Sequence, residues 1–207
     1  MTNIQNAGMH AIMQRYGQQA PGEVISAIQK ASTTTGVDFD YLMQQAKAES
    51  SFNPEAKAKT SSAGGLYQFI KSTWMDMINR HGDKYGIDVE SMTKQELLDL
   101  RFDPETAANM AAEFAAENKA SLDRNWGGDV GPTEMYFAHF LGAGGAASFL
   151  RARDENPLTP AADLFPKAAA ANRNVFYDSQ TGKPKSLAAV YNFFDNKFSG
   201  TTAPVTS

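Results

Sequence analysis

The stretch DFDYLMQQAKAESSFNP, residues 38–54, carries the reading that decides the fold. Asp38 is a residue type that caps a helix N-terminus with its carboxylate. Phe39, Leu42, Met43, Ala46 and Ser50 then recur at the spacing of one helical face, so a helix is predicted from Asp38 to near Phe52. Asn53-Pro54 closes it, because the residue before a proline is pushed out of helical backbone. Upstream, Val24, Ile25, Ile28 and Ala31 mark another helix from Glu23, ended by the run Ser32 to Thr35 and Gly36. Before that, Met9, Ile12, Met13 and Tyr16 predict a short amphipathic helix, set off by Gly17 and Pro21-Gly22, as an appendage over residues 1–21.

Downstream, residues 57–65, KAKTSSAGG, read as an irregular loop, and GLYQF leads into a helix over 72–81. Further helices are predicted over 93–100, from the Asp103-Pro104-Glu105 cap to about Leu122, over 133–141, from the GAGGAASFL block to Arg153, over 160–172 and over 186–198. A short hairpin near 175–185 turns at Thr181-Gly182, and residues 199–207 read as a flexible tail. Composition agrees. Alanine occurs 31 times against seven Val and seven Ile, a poor supply for a sheet and a good one for packed helices. The expected architecture is all-α, about eight or nine helices in one domain over 22–198.

The 19 Lys+Arg and 23 Asp+Glu give a net charge of −4 without a basic cluster, which argues against nucleic acid as the partner. Absence of cysteine excludes a disulfide framework, a thiolate nucleophile and a cysteine zinc site. No apolar run approaches the ~20 residues of a membrane span. The polar first 20 residues do not form a secretory signal. There is no GxSxG, HExxH, P-loop or GxGxxG after a strand, and the three histidines, at 10, 81 and 139, are far apart. No metal or cofactor is therefore expected, and the carboxylates remain. Glu49 stands out among them: it ends an apolar helix and precedes Ser50, Ser51 and Phe52, where partial burial would make it a useful acid. Periodicity alone leaves open that it is a solvated helix-end glutamate.

The segment Glu49-Ser50-Ser51-Phe52-Asn53-Pro54-Glu55-Ala56, then Ala63-Gly64-Gly65-Leu66-Tyr67-Gln68-Phe69 and Thr73-Trp74, resembles the signature of soluble lytic transglycosylases of the lysozyme superfamily, which runs ESxFNPxA and then GAxGLMQ. Phe102-Asp103-Pro104-Glu105 with Asn109 is similar to the family's DPxxN helix, and 138–144 to its AYNAGPG block. The resemblance covers about residues 22–150 and implies a lysozyme-like domain with Glu49 as sole acid/base. It further implies substrate contacts from Ser50 and Gln68, with Ile70 at the place of a groove methionine. Core packing is an equal alternative for Ile70. Tyr67 stands for the family's Met and offers a ring face to a sugar, as does Trp74, although the spacing of Trp74 to Ile78 favours the core.

Besides Tyr67, the sequence departs from the pattern in three places. The loop is one residue longer, Ser62 stands where the family often has Gly, and AHFLG replaces AYNAG. His139 thus falls on the family tyrosine that approaches the glutamate, and Phe140 on its asparagine. Either His139 takes over that hydrogen bond or Tyr136, one turn earlier on the same face, reaches in. The implied activity is non-hydrolytic cleavage of the β-1,4 MurNAc-GlcNAc bond of peptidoglycan, giving 1,6-anhydro-MurNAc, in the periplasm or envelope of a bacterium. Peptidoglycan strands are the implied partner, with an envelope-spanning apparatus open as a second. Two alternatives keep the groove: a goose-type lysozyme or chitinase-like hydrolase using a second carboxylate, and a non-catalytic wall-binding or assembly protein.

Overall fold

The computed structural model describes residues 14–198. Its helices are α1 (Gly22–Thr35), α2 (Phe39–Ser50), α3 (Lys71–His81), α4 (Lys94–Asp99), α5 (Pro104–Asn125), α6 (Pro132–Glu155), α7 (Ala161–Leu164), α8 (Pro166–Ala171), α9 (Arg173–Phe176) and α10 (Leu187–Phe198), with 3-10 turns at Gly82–Tyr85 and Leu100–Phe102. Among the described residues there are only isolated β-bridges and no strand, so the all-α expectation holds. The helix expected over 160–172 divides at Phe165, which leaves helical backbone, into α7 and α8, and the segment before and into the expected 175–185 hairpin forms the short α9. Met9, Ile12 and Met13, and the tail 199–207, lie outside the described residues.

The helix ends follow from local chemistry. Asp38 accepts the Tyr41 N–H at 2.8 Å and Gly36 ends α1 at φ 76°, a left-handed stop that glycine adopts without a Cβ penalty. Thr93 and Glu96 exchange the reciprocal bonds of a capping box at the start of α4.

The chain divides after Ala116 into two compact units. In the first, α1 packs on α2 and buries Val24, Ile28, Leu42, Met43 and Ala46 completely. Val24, Ile28, Leu42 and Met43 contribute ~1.5–3 kcal/mol each when fully removed from water. Ala107, Ala108, Ala111, Ala112 and Ala115 are the buried face of α5. Tyr16 is 2% exposed, edge-on to Phe52 at 5.7 Å, so the described end of the N-terminal segment packs on the exit of α2.

In the second unit, α6 breaks at Gly142, whose φ of 73° and ψ of 155° are not helical. Phe137 and Phe149 would stand ~18 Å apart along a straight helix, yet their rings stack at 4.5 Å. The break therefore folds α6 back on itself. Phe194 of α10 meets Phe137 edge-on at 4.9 Å, and Leu150, Phe176, Leu187 and Val190 complete this interior. The expected turn at 175–185 is present: Tyr177 bridges Pro184, and Gly182 at φ 67° donates to the Asp178 carbonyl at 2.9 Å.

Candidate active site

Glu49 is the penultimate residue of α2 and is half-buried. The helix behind it ends in an uncommon way. Ser51 and Phe52 both take left-handed backbone, φ 53° and 66°, a conformation that costs a non-glycine residue ~1–3 kcal/mol. The Ser51 N–H donates to the Lys47 carbonyl at 3.0 Å and that of Phe52 to Ala46 at 3.4 Å, so the last carbonyls of α2 find donors. Burial of the Phe52 ring, 2% exposed against Tyr16, offsets the cost.

Beyond this exit the loop returns to the helix through a set of hydrogen bonds. Ser50 Oγ lies 2.8 Å from the Leu66 carbonyl, to which it donates, and 3.2 Å from that of Ala46. The Gly65 N–H donates to Ala56 at 2.9 Å, and that of Ala58 to Ala63 at 3.0 Å. Gln68, itself at φ 49°, sends its side-chain N–H groups to the carbonyls of Gly65 at 2.8 Å and Ala56 at 3.2 Å. Ser62, at the family's glycine position, accepts the Lys71 N–H on its hydroxyl at 3.3 Å, where α3 begins.

The sequence reading missed one member of this frame. Arg101, 6% exposed, donates through Nη1 to Ser62 O at 2.8 Å and Phe69 O at 3.2 Å, and through Nε to Leu98 O at 3.0 Å. Burial lowers its pKa from the ordinary guanidinium value, with Asp99 opposing the shift. Its main chain grips the same loop, for a Cβ on Gly65 would stand 1.9 Å from Arg101 O. Flanked by Asp99 and Asp103, Arg101 looks in sequence like a solvated charge. The adjacent Gly64-Gly65 was the available signal, since glycine is the residue that permits a close backbone approach, and Gly65 takes φ 80° there.

The predicted site residues separate. Glu49, Ser50, Gln68 and Ile70 lie in the first unit, with Ser50 tied directly to Leu66. Ile70 is 44% exposed, so core packing does not describe it. Tyr67 is a correction to the expected sugar-stacking face: its ring is 1% exposed and its hydroxyl donates to Leu42 O at 3.2 Å. Its alternate position on the chain relative to Gln68 turns it inward, and burial raises its pKa. Trp74 is fully buried, with its indole N–H on Leu97 O at 2.7 Å, as its spacing favoured.

Tyr136 and His139 lie in the second unit, both half-buried, with ring centroids 5.8 Å apart on one face of α6. Tyr136 also meets Phe194 at 5.3 Å, and Phe140 meets Phe194 at 5.1 Å. Of the acids that could assist Glu49, Glu55 is exposed on the turn after Pro54, where Asn53 Oδ1 accepts its N–H at 2.9 Å. Asp76 is exposed and paired with Arg80 at 2.6 Å.

A family model for the transglycosylase SLT domain matches residues 26–131, just over half of the 207-residue chain. The chain belongs to the transglycosylase SLT domain family. A relative is the peptidoglycan transglycosylase gp16 of Escherichia phage T7, 35% identical over 124 residues that amount to 56% of this chain and 8% of that protein. The chain thus spans a small part of that relative's length. Within the SLT match fall Glu49, Ser50, Tyr67, Gln68, Ile70 and the Arg101 clamp, whereas Tyr136 and His139 lie beyond its end at residue 131.

Proposed function

We propose that this SLT domain is a lytic transglycosylase that cleaves the β-1,4 bond between MurNAc and GlcNAc in peptidoglycan without adding water. What supports the reading above all is the placement of Glu49, within the family match, at a helix exit whose strained backbone is held by the Ser50-to-Leu66 bond. Strain maintained by surrounding packing is characteristic of functional sites.

One carboxyl group acts twice. Neutral Glu49 donates its proton to the glycosidic oxygen as the C1–O bond breaks and C1 acquires oxocarbenium character. The carboxylate then accepts the proton of the C6 hydroxyl of the same MurNAc, whose oxygen bonds C1 and closes the 1,6-anhydro ring. Glu49 ends neutral, ready for the next bond. Hydrolysis would instead need a group to activate water, and an inverting route places a second carboxylate ~6.5–9.5 Å from the acid. Glu55 on its exposed turn and Asp76 in its ion pair with Arg80 are poorly suited to that role. The tethered C6 hydroxyl, by contrast, gains the effective concentration of an intramolecular group.

Ser50, Gln68 and Ile70 are the proposed substrate-side residues of the first unit, and His139, or Tyr136 in its place, those of the second. The proposed place of action is the bacterial envelope, alone or within an envelope-spanning apparatus. Mass spectrometry of muropeptides released from purified sacculi tests the reaction. Products lighter than hydrolytic ones by one water and ending in 1,6-anhydro-MurNAc support it. Reducing ends alone assign a hydrolase, and no release assigns a wall-binding protein.

A further inference from the structure

We infer that Arg101 is a positioning residue for the substrate edge of the site, acting through the loop it clamps without contacting the glycan; the inference rests on the proposed transglycosylase reading. The guanidinium is buried, and its hydrogen bonds run to main-chain carbonyls. Three main-chain oxygens converge on it, from Ser62, Phe69 and Leu98. Ser62 and Phe69 bracket the segment that holds Gly64, Gly65, Leu66 and Gln68. Fixing Phe69 O fixes the two residues on either side of it, Gln68 and the exposed Ile70. Leu66 in turn carries the carbonyl that accepts from Ser50, beside Glu49. The clamp therefore sets the distance between the helix exit that bears the acid and the loop edge that meets the sugar.

Two features set it apart from an ordinary buried charge. The same residue presents its own carbonyl to Gly65 so closely that no side chain fits there. Its Nη1 also serves two carbonyls seven residues apart in sequence while Nε holds Leu98 O, a two-nitrogen arrangement that the single nitrogen of a lysine cannot reproduce. Removal leaves the Ser62 carbonyl without that donor, whereas Phe69 O retains the Gly64 N–H at 3.2 Å. The loop is thus expected to loosen while the fold persists.

The test uses Arg101→Lys and Arg101→Gln with soluble, uncrosslinked peptidoglycan strands as substrate, alongside hydrogen exchange of the Gly64 and Gly65 amides. Val24→Ala serves as a comparator, since it weakens the α1 core away from the clamp. Both Arg101 variants are expected to raise KM about fivefold with kcat within about twofold of wild type, Lys less than Gln, and to speed exchange at Gly64 and Gly65. Val24→Ala lowers the melting temperature without moving KM. A KM within twofold of wild type in Arg101→Gln, whatever happens to kcat, overturns the inference, because a purely structural loss only reduces the active fraction. If the unaltered chain leaves the strands uncleaved, the functional reading has failed, and the clamp stands or falls on whether exchange at Gly64 and Gly65 quickens.

Discussion

The loop of residues 56–70 and the broken helix α6 both turn on glycine, yet they are held by opposite means. Around Gly65 the chain is fastened by main-chain carbonyls that accept from Ser50, Gln68 and Arg101. Around Gly142 it is fastened by rings, with Phe137 stacked on Phe149 and edge-on to Phe194. Hydrogen-bond geometry is directional, and a misplaced donor leaves a buried acceptor unsatisfied. Aromatic packing tolerates small displacement, since offset and edge-on arrangements lie close in energy. A frame of the first kind suits chemistry that needs a fixed acid. A cluster of the second kind can carry sequence changes such as AHFLG while its interior stays filled.

The largest expected effect lies in the fastened loop. Glu49→Gln retains the helical circular dichroism and loses ~10²-fold or more in turnover, as the amide can neither donate nor recover the proton. Turnover within about tenfold of wild type would remove Glu49 from the role of acid/base.

Glycine substitutions put the two regions side by side. Gly65→Ala is expected to cost about 3 kcal/mol or more in urea unfolding, because a positive φ is combined with a backbone clash. Gly142→Ala meets no atom within 4 Å and bears the conformational cost alone, about 1–3 kcal/mol for a backbone at φ 73° and ψ 155°. Equal losses would show that the contrast between directional and aromatic fastening has no energetic content.

His139→Phe and Tyr136→Phe then ask what the second region adds to the reaction. If His139 supplies the hydrogen bond expected of the family tyrosine, its loss slows turnover about ten- to a hundredfold, the ~1.5–3 kcal/mol of one charge-assisted bond. Tyr136→Phe then changes turnover little. The reverse order of effects transfers the role to Tyr136.

How far the sequence discloses each region follows from the range of its determinants. The end of α1 at Gly36 and the cap at Asp38 depend on neighbours within four residues, and both were legible. So was the fall of Trp74 into the core. The inward turn of Tyr67 was not, because an amphipathic ring suits a sugar face and an interior equally, and only the carbonyl of Leu42, 25 residues away, decides between them. Arg101 lies 39 residues from Ser62, and no local period links them. Family resemblance brought Glu49, Ser50 and Gln68 forward by position, but that Gln68 braces its own loop through Ala56 and Gly65 is a property of the folded chain.

The smallest expected effect concerns pH, and the two tryptophans, one in each unit, allow it to be read separately: Trp74→Phe leaves Trp126 as reporter and Trp126→Phe leaves Trp74. In the first unit Glu113 is 8% exposed. Burial alone would raise its pKa, but hydrogen bonds from Lys84 at 2.5 Å and Tyr85 at 2.6 Å, with His81 at 3.6 Å, hold it below the ordinary glutamate value. In the second unit Asp154 is likewise lowered, where burial is outweighed by Trp126 and Arg153, and exposed Asp178 is lowered by its bonds from Thr181. A carboxylate with a depressed folded pKa contributes stability that is present above its unfolded pKa, ~4 for Asp and Glu, and is lost as pH falls through the folded value. Both reporters should therefore show melting temperatures that decline below about pH 4–5. Added salt distinguishes them, since exposed charges are screened within ~3 Å at 1 M ionic strength and buried ones much less. The acid decline read at Trp126 should shrink in part in 1 M salt, which weakens the exposed Arg153–Asp154 attraction but leaves the hydrogen bonds from Trp126 and Thr181. That read at Trp74 should persist and shrink in Glu113→Gln, with the remainder coming from Glu96, which its bonds with Thr93 also hold below the ordinary value. A Trp74 decline that salt abolishes would mean that the first unit, too, rests on surface charge rather than on a buried polar frame.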